Sequence, residues 1–191
     1  MTKEQIKKKL NLDDVGNFKE GRTWVEKNGK CGHVDLNSKV TTPIIYDNVG
    51  NFKEGRTWVE KNGKCGHVDI NGKVTTPIIY DYTGDFQEGR ARVKKNGKWG
   101  HVDKNGNITT PIVYDSVGYF QEGRARVKKN GKYGHIDKNG KVVVPIIYDN
   151  VSYFHEGRAI VVINKVEFHI NKNGIPIKHN DFYKLIKEIF I

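Results

Sequence analysis

Two cysteines, one methionine and five prolines are all that 191 residues hold of these types, and each scarcity excludes something. Cys31 and Cys65 are too few for a disulfide scaffold and form no C-x-x-C pair. No stretch approaches the roughly 20 apolar residues of a membrane span. The N-terminus, MTKEQIKKKLNL, has lysines but no apolar segment behind them, so it does not read as a secretory signal. A reducing cytoplasm, with no membrane partner, is the expected setting. Hydrophobic residues reach only 36%, which suits a thin repeat stack better than a thick globular core. Acidic residues are also outnumbered, 22 Asp and Glu against 33 Lys and Arg. The net charge of +11 makes acidic partners a serious consideration.

What the chain has in abundance is itself. One stretch, residues 115–148, recurs with a period of 34 and no insertion. Phenylalanine falls at Phe18, Phe52, Phe86, Phe120 and Phe154, and Glu-Gly-Arg follows each time, ending at Arg22, Arg56, Arg90, Arg124 and Arg158. Asn-Gly pairs stand at Asn28, Asn62, Asn96 and Asn130, then are lost at Asn164-Lys165. Gly-His follows at His33, His67, His101 and His135, and Pro43, Pro77, Pro111 and Pro145 each precede a tyrosine by three residues.

Each copy reads as three short strands. In the fourth, 124–129 alternates, with Ala125 and Val127 on one face and Arg126 and Lys128 on the other. Asn130-Gly131 is a type I′ hairpin signal, because that turn needs positive φ at both central residues. Residues 133–137 form the return strand, and Lys138-Asn139-Gly140 leads into a third strand over 141–148, where Pro145 suits an edge. Gly123 is expected in the left-handed region. Residues 2–10 suit a short helix capped by Thr2, with Ile6 and Leu10 on one stripe. In 175–191, Asp181 would cap a helix carrying Phe182, Leu185, Ile186, Ile189 and Phe190 on one face. The expected organisation is therefore an N-terminal cap over 1–12, a five-copy β array over 13–174 and a helical cap over 175–191. An all-β, open, twisted, solenoid-like stack is favoured over a closed five-bladed ring, since a ring has less need of caps.

At Lys98-Trp99-Gly100, between FQEGRARVKKNG and HVDKNGNITTPIVYD, the chain resembles the WG repeat, also called the KWG repeat, of bacterial proteins. The resemblance spans roughly residues 13–174. The motif tryptophan stands only at Trp99; its equivalents are Cys31, Cys65, Tyr133 and Glu167. The resemblance implies a β-repeat array used for binding and assigns no catalytic residues.

Several patterns invite chemistry, and each has a plainer explanation. His33/Asp35, His67/Asp69, His101/Asp103 and His135/Asp137 put imidazole and carboxylate on one strand face. A zinc site needs three or four convergent ligands; four equivalent pairs fit a ladder of side-chain hydrogen bonds better, so no metal is expected. The Glu-Gly-Arg arginines suit pairing with a neighbouring carboxylate such as Glu54 or Asp81. The cysteines read as small buried hydrophobes. No nucleophile–base pair, phosphate loop or dinucleotide motif is present, so neither catalysis nor a cofactor is expected.

Positions that differ between copies carry more information, because shared positions build the stack. On the first long strand the outward site is Trp24, Trp58, Arg92, Arg126 and Ile160; two residues on it is Glu26, Glu60, Lys94, Lys128 and Val162. Trp24, Trp58, Arg92, Lys94, Arg126 and Lys128 are the expected partner-binding residues, since aromatic and arginine side chains dominate interface hot spots. The expected function is a non-enzymatic scaffold for a partner protein, acting as an inhibitor of a larger bacterial machine such as a nucleic-acid-handling enzyme. Direct nucleic-acid binding by the basic third and fourth copies is the alternative. The sequence leaves the oligomeric state open.

Overall fold

The computed structural model describes residues 2–177. In the first copy, β1 (Asp14–Val15), β2 (Arg22–Lys27), β3 (Lys30–Asp35) and β4 (Val40–Tyr46) form an antiparallel sheet in that order. The second copy repeats it with β5 (Asn48–Val49), β6 (Arg56–Lys61), β7 (Lys64–Asp69) and β8 (Val74–Tyr80). The third contributes β9 (Tyr82–Thr83), β10 (Arg90–Lys95), β11 (Lys98–Asp103) and β12 (Ile108–Tyr114). The fourth has β13 (Ser116–Val117), β14 (Arg124–Lys129), β15 (Lys132–Asp137) and β16 (Val142–Tyr148); the fifth has β17 (Asn150–Val151), β18 (Arg158–Ile163) and β19 (Val166–Asn171). Among the described residues the fold is all-β apart from one helix, in five sheets of three or four strands, none closed into a barrel. The structure adds one feature to the three-stranded reading: a two-residue strand opens each copy and pairs with the first long strand. Two residues are too few to leave a period in the sequence.

The chain divides within the third copy. Of the described residues, one compact unit holds those up to 96 together with 102–107, and the other holds 97–101 and those from 108 on. In the first unit, helix α1 (Lys3–Leu10) starts at a capping box. The Thr2 side chain accepts from the Gln5 N–H, and the Gln5 side chain accepts from the Thr2 N–H. Ile6 is fully buried in a cluster with Leu12, Val15, Val25 and Val34, against which Phe18 packs. In the second unit the cores gather Tyr114, Val117, Phe120, Ala125, Val127 and Ile136, then Val144, Tyr148, Phe154, Val161, Phe168 and Ile170.

Copies are joined by their shared residues. Buried His33 donates from Nε2 to the Gly50 carbonyl at 2.8 Å, and its ring meets Phe52 edge-on at 4.9 Å between centroids. His67 treats Gly84 and Phe86 in the same way, at 2.8 and 4.8 Å. In the second unit His101 bonds Gly118 O at 2.9 Å and His135 bonds Ser152 O at 2.8 Å. This corrects the expected histidine–aspartate ladder. Asp35, Asp69, Asp103 and Asp137 instead cap their own turns, accepting the N–H groups two and four residues on. An Asx turn satisfies those amides locally, and the imidazole then looks to the next copy.

The Glu-Gly-Arg corners also differ from expectation. Glu20 accepts both the Glu54 and Gly55 N–H groups at 2.8 Å, and Glu54 and Glu122 likewise accept the Gly89 and Gly157 N–H groups, each clamping the corner one copy on. Arg56 donates to the Gly55 carbonyl and from Nε to the Lys104 carbonyl; Arg124 does the same to Gly123 and Lys172. At Arg56 and Arg124 the guanidinium thus serves backbone groups, and Glu54 pairs with Lys104 at 3.2 Å. Lysine–aspartate pairs add a further link, with Lys64 to Asp81 at 2.6 Å while the other Asp81 oxygen accepts the Asn96 N–H that opens a hairpin.

The fifth copy ends the pattern visibly. Gly32, Gly66, Gly100 and Gly134 have no room for a side chain, since a Cβ at Gly66 would lie 2.5 Å from the Thr76 carbonyl. At the equivalent place Phe168 is buried and meets Tyr148 edge-on at 6.1 Å between centroids. Pro176 bridges Ile170, and the Ile177 N–H donates to His169 O. The helix expected to start at Asp181 in the 175–191 cap lies outside the described residues.

Candidate interaction surfaces

The first long strand of each copy alternates between buried and half-buried residues. That alternation sends Thr23 and Val25, or Ala125 and Val127, inward and leaves the variable positions on the outer face. The six expected partner-binding residues all lie there, each half-buried. Trp24, Trp58, Arg92 and Lys94 belong to the first unit, and Arg126 and Lys128 to the second.

The tryptophans are seated on the sheet. A Cβ at Gly16 would fall 2.1 Å from Trp24 Nε1, and one at Gly50 would fall 2.3 Å from Trp58 Nε1. Each indole lies flat against a glycine whose N–H donates to the carbonyl of that same tryptophan. Trp24 also packs on the cluster of Tyr46, Val49, Val59 and Val68. Trp58 lines a depression with Glu60, Cys65, Tyr82 and Thr83. Both cysteines are free and half-buried. Burial, followed by the adjacent Glu26 or Glu60 carboxylate, raises their pKa values, which keeps them as neutral thiols.

In the second unit Arg126 lies between two rings, its guanidinium carbon 5.3 Å from the Tyr133 centroid and 5.2 Å from that of Tyr153. Lys128 Nζ sits 5.0 Å from the same Tyr133 ring. Arg126 borders one depression with Asn150, Ser152, Ile160 and Glu167, and Tyr153 borders another with His155, Glu156, Arg158 and His169. Stacking holds the arginine in one geometry, which lowers the entropy lost on docking.

Tyr82 and Tyr153 were missed by the sequence reading, although a signal existed. At the position of Tyr82 the other copies carry Asp14, Asn48, Ser116 and Asn150; at that of Tyr153 they carry Asn17, Asn51, Asp85 and Tyr119. Both tyrosines are exposed, at 40% and 41%. The histidines, by contrast, are committed to the junctions. Burial drives the pKa values of His33, His67 and His135 down to about 4, against the opposing effect of the carbonyl bond.

No curated protein matches the chain. Among solved structures, one of the eukaryotic initiation factor is similar over 85% of this chain and 52% of that one, with a TM-score of 0.53 and 10% identity. Kluyveromyces lactis Hsv2 is similar over 83% and 60%, with a TM-score of 0.45 and 10% identity. The chain thus spans about half the length of the initiation-factor structure, and at that identity the likeness concerns the fold alone. The WG containing repeat matches in tandem at residues 2–31, 32–65, 66–99, 99–133 and 133–166. With five matches in succession over nearly the whole chain, and with the shared anchors occupied in the repeat junctions, this protein belongs to the WG-repeat family.

Proposed function

We propose that the chain is a non-enzymatic scaffold, set in a reducing cytoplasm, that binds a partner protein through its variable outer faces. The carrying observation is the division of labour between positions. Shared histidines, glutamates, arginines and aspartates are spent on backbone groups of the same or a later copy. The positions that vary gather tryptophan, tyrosine and arginine on the outer face, and Tyr133, Arg126 and Tyr153 are already stacked. Preorganised aromatic–arginine clusters of this kind suit a hot spot. In the inhibitor form of the proposal, the partner is a bacterial nucleic-acid-handling enzyme that loses activity when bound.

Direct nucleic-acid binding is the second reading, favoured by residues 115–148, where seven Lys and Arg face three Asp and Glu. Affinity capture from bacterial lysate with and without nuclease separates the two. The scaffold reading expects a nuclease-resistant protein band that Arg126→Glu/Lys128→Glu abolishes while its melting temperature stays put. Recovery of nucleic acid alone, released steeply by salt, would establish the second reading instead.

A further inference from the structure

The second and fourth copies build the same place on the outer face with opposite parts. In the fourth, a cation (Arg126) stands on the first long strand, and an aromatic (Tyr133) stands on the return strand beneath it, 5.3 Å away. In the second, the equivalent positions are an aromatic, Trp58, and a small residue, Cys65. The stack that the fourth copy completes internally is left half-made. Trp58 is held flat on Gly50, and the volume that Tyr133 fills in the fourth copy is open above Cys65, forming the depression bounded by Trp58, Glu60, Cys65, Tyr82 and Thr83.

The charge at this place is exchanged as well. Where the fourth copy has Lys128 beside its tyrosine, the second has Glu60, paired across the strands with Cys65. Lys64, the sequence neighbour of Cys65, is turned to Asp81 at 2.6 Å. Residues 47–80 hold five Lys and Arg against four Asp and Glu, and Lys94 stands across the strands from Tyr82 at the rim. The first copy has Trp24, Glu26 and Cys31 in the same positions but Asn48 in place of Tyr82; it has one aromatic wall where the second copy has two.

We infer that the Trp58–Tyr82 slot binds the guanidinium of an arginine side chain presented by a partner protein. The flat cation stacks on the indole face, its aliphatic stem covers Cys65, and Glu60 accepts its N–H groups. Two aromatic walls and one carboxylate select a planar cation over an ammonium, because only guanidinium both stacks and offers a donor fork. The neutral Cys65 thiol serves as a floor and a spacer. This inference rests on the scaffold reading and names the group that the partner supplies.

The test uses Nα-acetyl-arginine amide as the probe, titrated into the 15N-labelled full chain, with the Trp58 indole N–H followed by NMR. We expect a saturable millimolar shift of that signal, with the Trp24 indole unmoved and Cys65 slowed in its reaction with a soluble maleimide. Acetyl-lysine amide should bind about fivefold more weakly, and acetyl-leucine amide should produce no saturable shift. Cys65→Tyr, which fills the slot as the fourth copy does, should abolish binding; should it fail to fold, Glu60→Gln and Tyr82→Asn test the same contacts and should each weaken binding about fivefold. Absence of a saturable shift, equal shifts for leucine and arginine probes, or binding untouched by Glu60→Gln and Tyr82→Asn would each overturn the inference. A partner captured as described above but insensitive to Tyr82→Asn would sink the slot while leaving the scaffold reading in place.

Discussion

Asn164 and Lys165 show how a single residue registers the repeat's geometry. The hairpin turn needs positive φ twice, and earlier copies place glycine second. In the fifth copy Lys165 takes φ +67° instead, a conformation that costs a side-chain-bearing residue roughly 1–2 kcal/mol. Lys165→Gly is therefore expected to raise the melting temperature, with a net gain of roughly 0.5 kcal/mol after the added freedom of the unfolded chain. A second residue pair separates conformation from crowding. Gly72 and Ser38 occupy equivalent turns at φ +78° and +66°, yet a Cβ at Gly72 would lie 2.2 Å from the Thr41 carbonyl of the preceding copy. Ser38 is buried, at 5%, and its turn already holds a side chain. Gly72→Ser should cost more than about 2 kcal/mol by chemical denaturation, because backbone must move.

Among elements, the junction is the unit of stability. Each is a histidine from one return strand seated on a phenylalanine and a carbonyl from the next copy. Phe86, 1% exposed and edge-on to His67, should cost about 3–5 kcal/mol on truncation to alanine. Phe18 meets no preceding histidine and is only half-buried against the α1 cluster, so Phe18→Ala should cost clearly less. Equal losses at both positions, measured by urea unfolding, would show that the junction geometry adds nothing to ordinary burial. The sequence marked both residues as anchors but not this difference, which depends on what each ring meets.

For the whole molecule the buried histidines set the response to acid. His33, His67 and His135 have pKa values near 4 in the fold, below the ordinary value of about 6.5. Between those values the unfolded chain binds more protons than the native one, so stability rises with pH. The contribution is complete above pH about 6.5 and is lost as pH falls towards about 4, on the order of 3 kcal/mol per histidine. Melting temperature followed by circular dichroism should begin to fall below pH 6.5, before most carboxylates titrate. A flat profile down to pH 5 would mean that these imidazoles are not held neutral by burial.

The 34-residue period, the Asn-Gly hairpins, the inward and outward faces and the family were all legible in the chain itself, because they follow from local conformational demands and strand alternation. The outward placement of Trp58, Arg92 and Arg126 was legible for the same reason. Tertiary structure decided whom each polar side chain serves. His33 and Asp35 are neighbours on a strand, but one bonds the next copy and the other its own turn, and spacing alone cannot distinguish a partner two residues away from one seventeen away. The slot beside Trp58 was hidden for a related reason. It is made of a residue that is missing bulk, Cys65, and a tyrosine from the following copy, and only packing brings an absence and a distant ring to one place.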